Sequence, residues 1–243
     1  MNKIIKVKNP KIFLKKVNNY LVSDIKSLKI NNKDLNNIKH SFSKLKIDNY
    51  HNSNNPPTRL RKFFDLDVDM SNKKNLKIKF NHDKKIFKQP VEDDRGVPRE
   101  FDLVDDNILY SKFMISFISK ISGIVKSIED VNKLNICIHQ VRQICYPEII
   151  SENSPEGIHQ DGADYIVSAL VINRINLKGG ISDIYDMDKN LLKFVILNEN
   201  ELIFQNDKKL YHYVTPIKCL DKNYLGYRDI IGLDINIMDY LLI

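Results

Sequence analysis

The 243-residue sequence predicts an α+β fold with N-terminal and flanking helices on a jelly-roll core. Two patterns carry that prediction. In the first half, apolar residues recur every three or four positions, the period of a helix buried along one face. From Asn135 onward the period drops to two and β-branched residues dominate, as in short strands. Helices followed by many short strands is the order of an α+β chain whose strands form two facing sheets.

The elements follow in order. Phe13, Val17, Leu21, Ile25 and Leu28 predict a first amphipathic helix, and Leu35, Ile38, Phe42 and Leu45 a second. Asn31-Asn32-Lys33-Asp34 supplies turn and N-cap chemistry between them. His51 to Pro57 is a loop by composition. Strands are expected near Leu60–Asp67 and Leu76–Phe80, then a polar loop through Gly96 and Pro98. A long helix spans roughly Asp106–Ile128, its broad face filled by Phe113, Met114, Phe117, Ile121 and Ile124. Strands are then expected at Ile136–Tyr146, Asp164–Ile175, Ile181–Tyr185, Leu191–Leu197, Leu202–Gln205, His212–Ile217 and Tyr227–Ile237. The length suits one domain over 1–243: a helical, basic part over 1–94, and over 95–243 a helix plus the jelly-roll core.

Composition narrows the function classes. Residues 1–90 carry 22 Lys and Arg against 7 Asp and Glu, whereas 91–243 carry 16 against 24. The basic excess is therefore N-terminal, and a solvated face explains it more simply than a nucleic-acid module does. No nucleic-acid partner is expected. No apolar run approaches the ~20 residues that span a bilayer, and Lys6, Lys8 and Lys11 interrupt any signal-peptide core. Cys137, Cys145 and Cys219 form no CxxC pair, which fits reduced thiols and a cytoplasmic location.

The most informative stretch is Pro155-Glu156-Gly157-Ile158-His159-Gln160-Asp161-Gly162. In extended chain, side chains two apart share a face. His159 and Asp161 therefore converge on one point, as two ligands of a divalent metal would. His212 supplies a third ligand downstream. Two histidines and a carboxylate make the facial triad of non-haem Fe(II), which keeps open positions. A catalytic zinc could use the same three groups. Arg228 follows, on a face shared with Ile230 and Gly232, where an unpaired guanidinium would be costly unless a carboxylate meets it. A dicarboxylic co-substrate suits that guanidinium, so the arginine favours iron over zinc. Taken alone, a His-x-Asp is weak and most arginines are surface ion-pair residues; the set together is the signal.

At these residues the chain resembles the 2-oxoglutarate/Fe(II)-dependent dioxygenases, and within them the bacterial branch that includes L-isoleucine 4-hydroxylases. Asn173-Arg174-Ile175-Asn176, Gly179-Gly180, Thr215-Pro216-Ile217 and Arg228-Asp229 extend the likeness, and Arg99-Glu100-Phe101 and Gln140-Val141-Arg142 fit it more loosely. It covers roughly residues 95–237. Gln160 departs from it, standing where the branch commonly has arginine, on the face opposite the ligands.

The resemblance implies a double-stranded β-helix with His159, Asp161 and His212 as catalytic metal ligands. Fe(II), 2-oxoglutarate and O2 are the expected cofactors, with Arg228 and Thr215 on the co-substrate's distal carboxylate. The implied reaction hydroxylates an sp3 carbon of a free L-amino acid, an aliphatic one, and releases succinate and CO2. Asp161 argues for hydroxylation, since alanine or glycine there would open a halide position. Gln140 and Arg142 are candidate contacts for the substrate's carboxylate if their strand face is inward; otherwise they form a solvent-exposed stripe. Glu156 and Asp164 are candidates for its ammonium group. A cyclic or modified amino acid, a natural-product intermediate, and a non-catalytic metal-binding jelly roll stay open, as does a homodimer.

Overall fold

The computed structural model describes residues 3–9, 19–28, 32–51, 56–92 and 94–238. The strands are β1 (Lys3–Lys8), β2 (Tyr20–Asp24), β3 (Lys46–Ile47), β4 (Arg59–Asp69), β5 (Asn75–Phe80), β6 (Ile86–Phe87), β7 (Arg99–Glu100) and β8 (Lys133–Cys145). There follow β9 (Tyr165–Ile175), β10 (Leu177–Gly179), β11 (Ile181–Tyr185), β12 (Leu191–Ile196), β13 (Glu201–Asn206), β14 (Tyr211–Val214), β15 (Ile217–Cys219) and β16 (Gly226–Ile237). Helices α1 (Asn32–Ser41), α2 (Asp106–Leu109) and α3 (Lys112–Glu129) complete the set.

A large antiparallel sheet runs β1-β5-β4-β8-β16-β9-β13-β2, with β3 also on β4, and faces a smaller sheet β12-β11-β14. This is a double-stranded β-helix. The two faces of the large sheet do different work. Alternate residues such as Phe64 and Leu66 of β4 and Ile136 and Ile138 of β8 point outward and join Phe113, Phe117 and Ile121 of α3 in the main core. Each fully buried side chain there contributes about 1.5–3 kcal/mol. The residues between them point into the jelly roll.

Helix α3 begins where Ser111 accepts the Met114 N–H (3.2 Å) and ends at Asp130, which takes the left-handed conformation (φ 48°). That cap explains why the single expected helix over Asp106–Ile128 is split: Ser111 is extended, so α2 stops before it. The helix expected over Leu35–Leu45 is α1 plus a 3-10 turn, burying Ile38 and Phe42 completely.

The expectation of a helical N-terminal part does not hold. Phe13 and Val17 lie outside the described residues, but Leu21 sits in β2, an edge strand paired with β13. The pairing partner is some 180 residues away in sequence, so backbone hydrogen bonding to a distant edge overrides the local helical spacing. Strands β1, β4 and β5 likewise belong to the same sheet as β8 and β16. The strand expected over His212–Ile217 is also two, because Thr215-Pro216 breaks it and β15 leaves to pair with β10. Among the described residues no helix is long and apolar enough to cross a membrane.

Candidate functional site

His212 lies on β14, its backbone register set against Ile184 of β11. On the other side His159 forms an isolated antiparallel bridge with it, each N–H donating to the other's carbonyl (3.0 and 2.9 Å). The bridge places the two imidazoles side by side, ring centroids 4.2 Å apart. Asp161 turns back toward both: its Oδ1 is 3.7 Å from His159 Nε2 and its Oδ2 is 3.5 Å from His212 Nε2. One ligand atom from each of the three residues falls within 4.8 Å of the others. Gln160, between them, points the other way and donates to the carbonyls of Asp207 and Leu210.

The surroundings prepare these groups for a cation. His159 Nδ1 donates to the Gly157 carbonyl (2.8 Å), which leaves Nε2 facing Asp161. Burial pulls the His159 pKa down, but the hydrogen bond to Glu156 (3.0 Å) and the charges of Asp161 and Glu156 raise it above the ordinary value. The site thus favours positive charge at Nε2, which a divalent cation supplies. Burial drives His212 down to about 4, leaving the neutral imidazole that metals bind. Burial opposes ionisation of Asp161, yet His212, His159 and Arg95 together hold its carboxyl below the ordinary value. Gln89 Nε2 donates to Asp161 Oδ1 (2.9 Å) and fixes the carboxylate's orientation.

Arg228 projects from β16 into the same cavity and is 2% exposed. Its Nη1 donates to the Gly180 carbonyl (3.2 Å), and its Nε is buried without a partner. Among the described residues no carboxylate pairs with it. Burial, reinforced by the charge of Arg174, pushes its pKa down to about 10. A buried guanidinium with an unsatisfied donor fits a carboxylate supplied by a ligand. Gly180 makes the approach feasible: it has φ +63°, and a Cβ there would stand 3.0 Å from Arg228 Nη1. Thr215 meets the same corner, its carbonyl accepting from Gly180 N (3.2 Å) and its hydroxyl oxygen from Ile181 N (2.9 Å). The hydroxyl hydrogen therefore stays available to donate.

The remaining expected contacts divide. Glu156 lines the cavity, bonded to His159 and 3.8 Å from Arg95. Gln140 and Arg142 do not reach it. They share the outward face of β8 with Ile138, where Gln140 donates to Ser41 Oγ (2.6 Å) and Arg142 holds Asp229 through two bonds (2.7 and 2.8 Å). The inward face of β8 is the other parity: His139, Val141 and Gln143. Asp164 is also turned away, accepting from Ile237 N (2.6 Å) and pairing with Lys208. It ties the end of β16 in place.

Sequence reasoning missed Arg59, Arg61, Gln89, Arg99, His139 and Asp234, all on the cavity wall. The alternation of Arg59, Arg61 and Phe63 along β4 was the available signal, since residues of one parity share a face. The cavity encloses about 250 Å³. That is below the roughly 300–1,000 Å³ of common ligand clefts, so the contents are small.

A family model described as 2OG-Fe dioxygenase matches residues 39–234. A comparison with curated protein sequences finds no match. Among solved structures, a BsmA homologue from Methylobium petroleophilum PM1 is similar with TM-score 0.78 and 17% identity, over 90% of this chain and 89% of that one. IDO from Bacillus thuringiensis is similar with TM-score 0.73 and 17% identity, over 90% and 94% of the two chains. The Fe(II)/α-ketoglutarate-dependent dioxygenase TqaL is similar with TM-score 0.69 and 16% identity, over 90% and 82%. At these identities the likeness to the three is one of fold.

Proposed function

The chain belongs to the 2OG-Fe dioxygenase family, whose enzymes use Fe(II), 2-oxoglutarate and O2, and we propose on that footing that it hydroxylates an sp3 carbon of a small free L-amino acid, an aliphatic one. His159, Asp161 and His212 hold Fe(II), and Arg228 with the Thr215 hydroxyl holds the distal carboxylate of 2-oxoglutarate. The observation that carries the reading is the meeting, in one cavity, of a His-Asp-His cluster with a buried arginine whose Nε is unsatisfied and which no described carboxylate pairs. When bound, the metal and co-substrate supply the oxidising chemistry and release succinate and CO2.

This chain's own residues bind, orient and exclude water. Gln89 steadies Asp161, and Gly157 fixes the His159 tautomer, so the three ligand atoms are held before any metal arrives. Arg228 and Thr215 set the co-substrate's far end, which orients its other end toward the triad. Apolar Val141 and Ile230 of the large sheet and Val214 of β14 line the cavity and give an aliphatic side chain a dry surface. The small volume favours a free amino acid over a peptide, and the presence of both arginines and carboxylates on the walls suits a zwitterion.

The test is anaerobic titration of the purified protein with Fe(II) and then 2-oxoglutarate, following the charge-transfer absorption of the chelated pair. The reading expects the band in the wild type and its loss in His159→Ala, Asp161→Ala and His212→Ala, with circular dichroism unchanged. A band that survives any of these substitutions refutes the ligand assignment.

A further inference from the structure

The cavity has a second cationic pole, and we propose that Arg61 and Arg99 there bind the substrate's carboxylate. The proposal rests on the oxygenase reading above and deepens it. Five arginines line the cavity: Arg59, Arg61, Arg95, Arg99 and Arg228. Arg59 is matched by Asp48 (2.8 Å), and Arg95 lies 3.8 Å from Glu156 and 4.0 Å from Asp161. Arg228 serves the co-substrate corner. Arg61 and Arg99 remain, and among the described residues no carboxylate pairs with either.

Among the described residues their side-chain acceptors are neutral. Arg61 Nη2 donates to His139 Nδ1 (2.6 Å), and Arg99 Nη2 donates to Gln89 Oε1. The Nε of each is buried without a partner. Both guanidinium groups lie beside one ring, their central carbons 5.2 and 5.1 Å from the centroid of Phe87, and Arg61 also lies over Phe101 at 4.5 Å. Two arginines placed beside one apolar ring, each with a spare buried donor, form a cradle for a planar anion. Guanidinium binds carboxylate through paired donors, and a buried arginine without an anion is costly.

His139 holds Arg61 in place, while the charges of Asp48 and Asp234 at longer range favour the guanidinium against burial. His139 Nε2 donates to Asp234 Oδ2 (3.1 Å), which leaves Nδ1 as an acceptor toward Arg61. Burial and the charge of Arg61 hold this imidazole well below its ordinary pKa, so it stays neutral.

The pole is also correctly sited for this role. In the large sheet Arg61 stands in the row Arg61–Val141–Ile230, and Arg228 in the neighbouring row, two strands across. The two cationic groups therefore serve separate anions. Arg99 reaches the triad through a single side chain, since Gln89 accepts from Arg99 and donates to Asp161. A carboxylate held here leaves the rest of a small amino acid alongside the metal ligands and the Val141–Ile230 wall.

The test compares the wild-type protein, loaded with Fe(II) and 2-oxoglutarate, on L-isoleucine, L-leucine and L-valine against their carboxamides and their decarboxylated amines. Succinate formation above the substrate-free rate is the readout. At least one acid should stimulate it, and the matching amide and amine should need about 10- to 100-fold higher concentration for the same effect, the value of a lost charge-assisted pair. Arg61→Gln and Arg99→Gln should shift the amino-acid requirement by a similar factor and leave half-saturating 2-oxoglutarate within about twofold.

Equal stimulation by acid and amide overturns the proposal, and the wild-type comparison holds even if a variant fails to fold. So does a shift in the 2-oxoglutarate requirement alone, which would assign the pole to the co-substrate. No stimulation by any acid, with the charge-transfer band present, also counts against a carboxylate at this pole while sparing the iron site. Absence of the band in the wild type defeats the oxygenase reading itself.

Discussion

Replacing Arg228 with methionine should strengthen the fold and weaken the co-substrate at the same time. The side chain is 2% exposed, makes one hydrogen bond to Gly180 and leaves Nε unsatisfied. Without a bound carboxylate it is a buried charge with little compensation, and swapping such groups for apolar ones of similar volume commonly gains about 1–4 kcal/mol. In a domain of this size that is a rise in Tm of roughly 2–4 °C per kcal/mol. With 2-oxoglutarate present the sign reverses. Two charge-assisted hydrogen bonds at about 1.5–3 kcal/mol each come to about 3–6 kcal/mol. At about 1.4 kcal/mol per tenfold, half-saturating 2-oxoglutarate rises roughly a hundred- to ten-thousandfold. The assay is thermal denaturation of both proteins without and with 2-oxoglutarate, beside a titration of succinate formation. A variant that melts lower without co-substrate, yet needs no more of it, would refute the reasoning.

Four further outcomes follow from the geometry. Gln89→Leu removes the donor to Asp161 and should cost about 10- to 100-fold in Fe(II) affinity by equilibrium dialysis, with the fold retained. Gly180→Ala pushes a methyl 3.0 Å from Arg228 Nη1 at φ +63°; the half-saturating 2-oxoglutarate should rise, whereas a response confined to the amino acid would contradict the corner's assignment. Arg142→Met removes the guanidinium from the fully buried Asp229, leaving it the Asn173 amide, and should lower stability by up to about 3–5 kcal/mol in urea unfolding, with substrate and co-substrate requirements unchanged. Burial and Arg59 push His51 down to about 4 from an ordinary 6.5. The folded state then binds fewer protons than the unfolded one between those values, so His51 removes stability, at most about 3 kcal/mol, as pH falls from 6.5 to 4. His51→Asn should flatten that limb of the stability profile, and an unchanged slope would show that His51 is not its source.

The His159–Asp161 pair was legible because it is local, whereas His212 joins it only through the long-range bridge to His159. His159 and Asp161 are two apart, so the alternation of neighbouring side chains brings them to one side and sends Gln160 to the other, although His159 forms only an isolated bridge and no strand runs through the segment. Ile181–Tyr185 emerged unchanged as a strand for the same reason, since a clean two-residue period is set within the segment itself. On β8 the same rule left the face open, and the contacts expected of Gln140 and Arg142 do not form. Both parities carry polar groups, Gln140 and Arg142 on one and His139 and Gln143 on the other, so alternation alone cannot say which is inside. What decides it is Asp229 on the neighbouring strand and Ser41 at the end of α1, partners that local sequence does not announce. The first helix failed through a similar long-range effect, where pairing of β2 with β13 outweighed the spacing of Leu21, Ile25 and Leu28. The second arginine pole was hidden more deeply, because Arg61 from β4, Arg99 from β7 and His139 from β8 meet only once the sheet is assembled.

The most direct test of the central claim is product analysis by mass spectrometry. Purified protein loaded anaerobically with Fe(II) receives 2-oxoglutarate, O2 and a pooled set of free L-amino acids. Succinate is expected together with one amino acid gaining a single oxygen atom, both lost in Asp161→Ala. Iron bound in the wild type with neither succinate nor an oxygenated amino acid would contradict it.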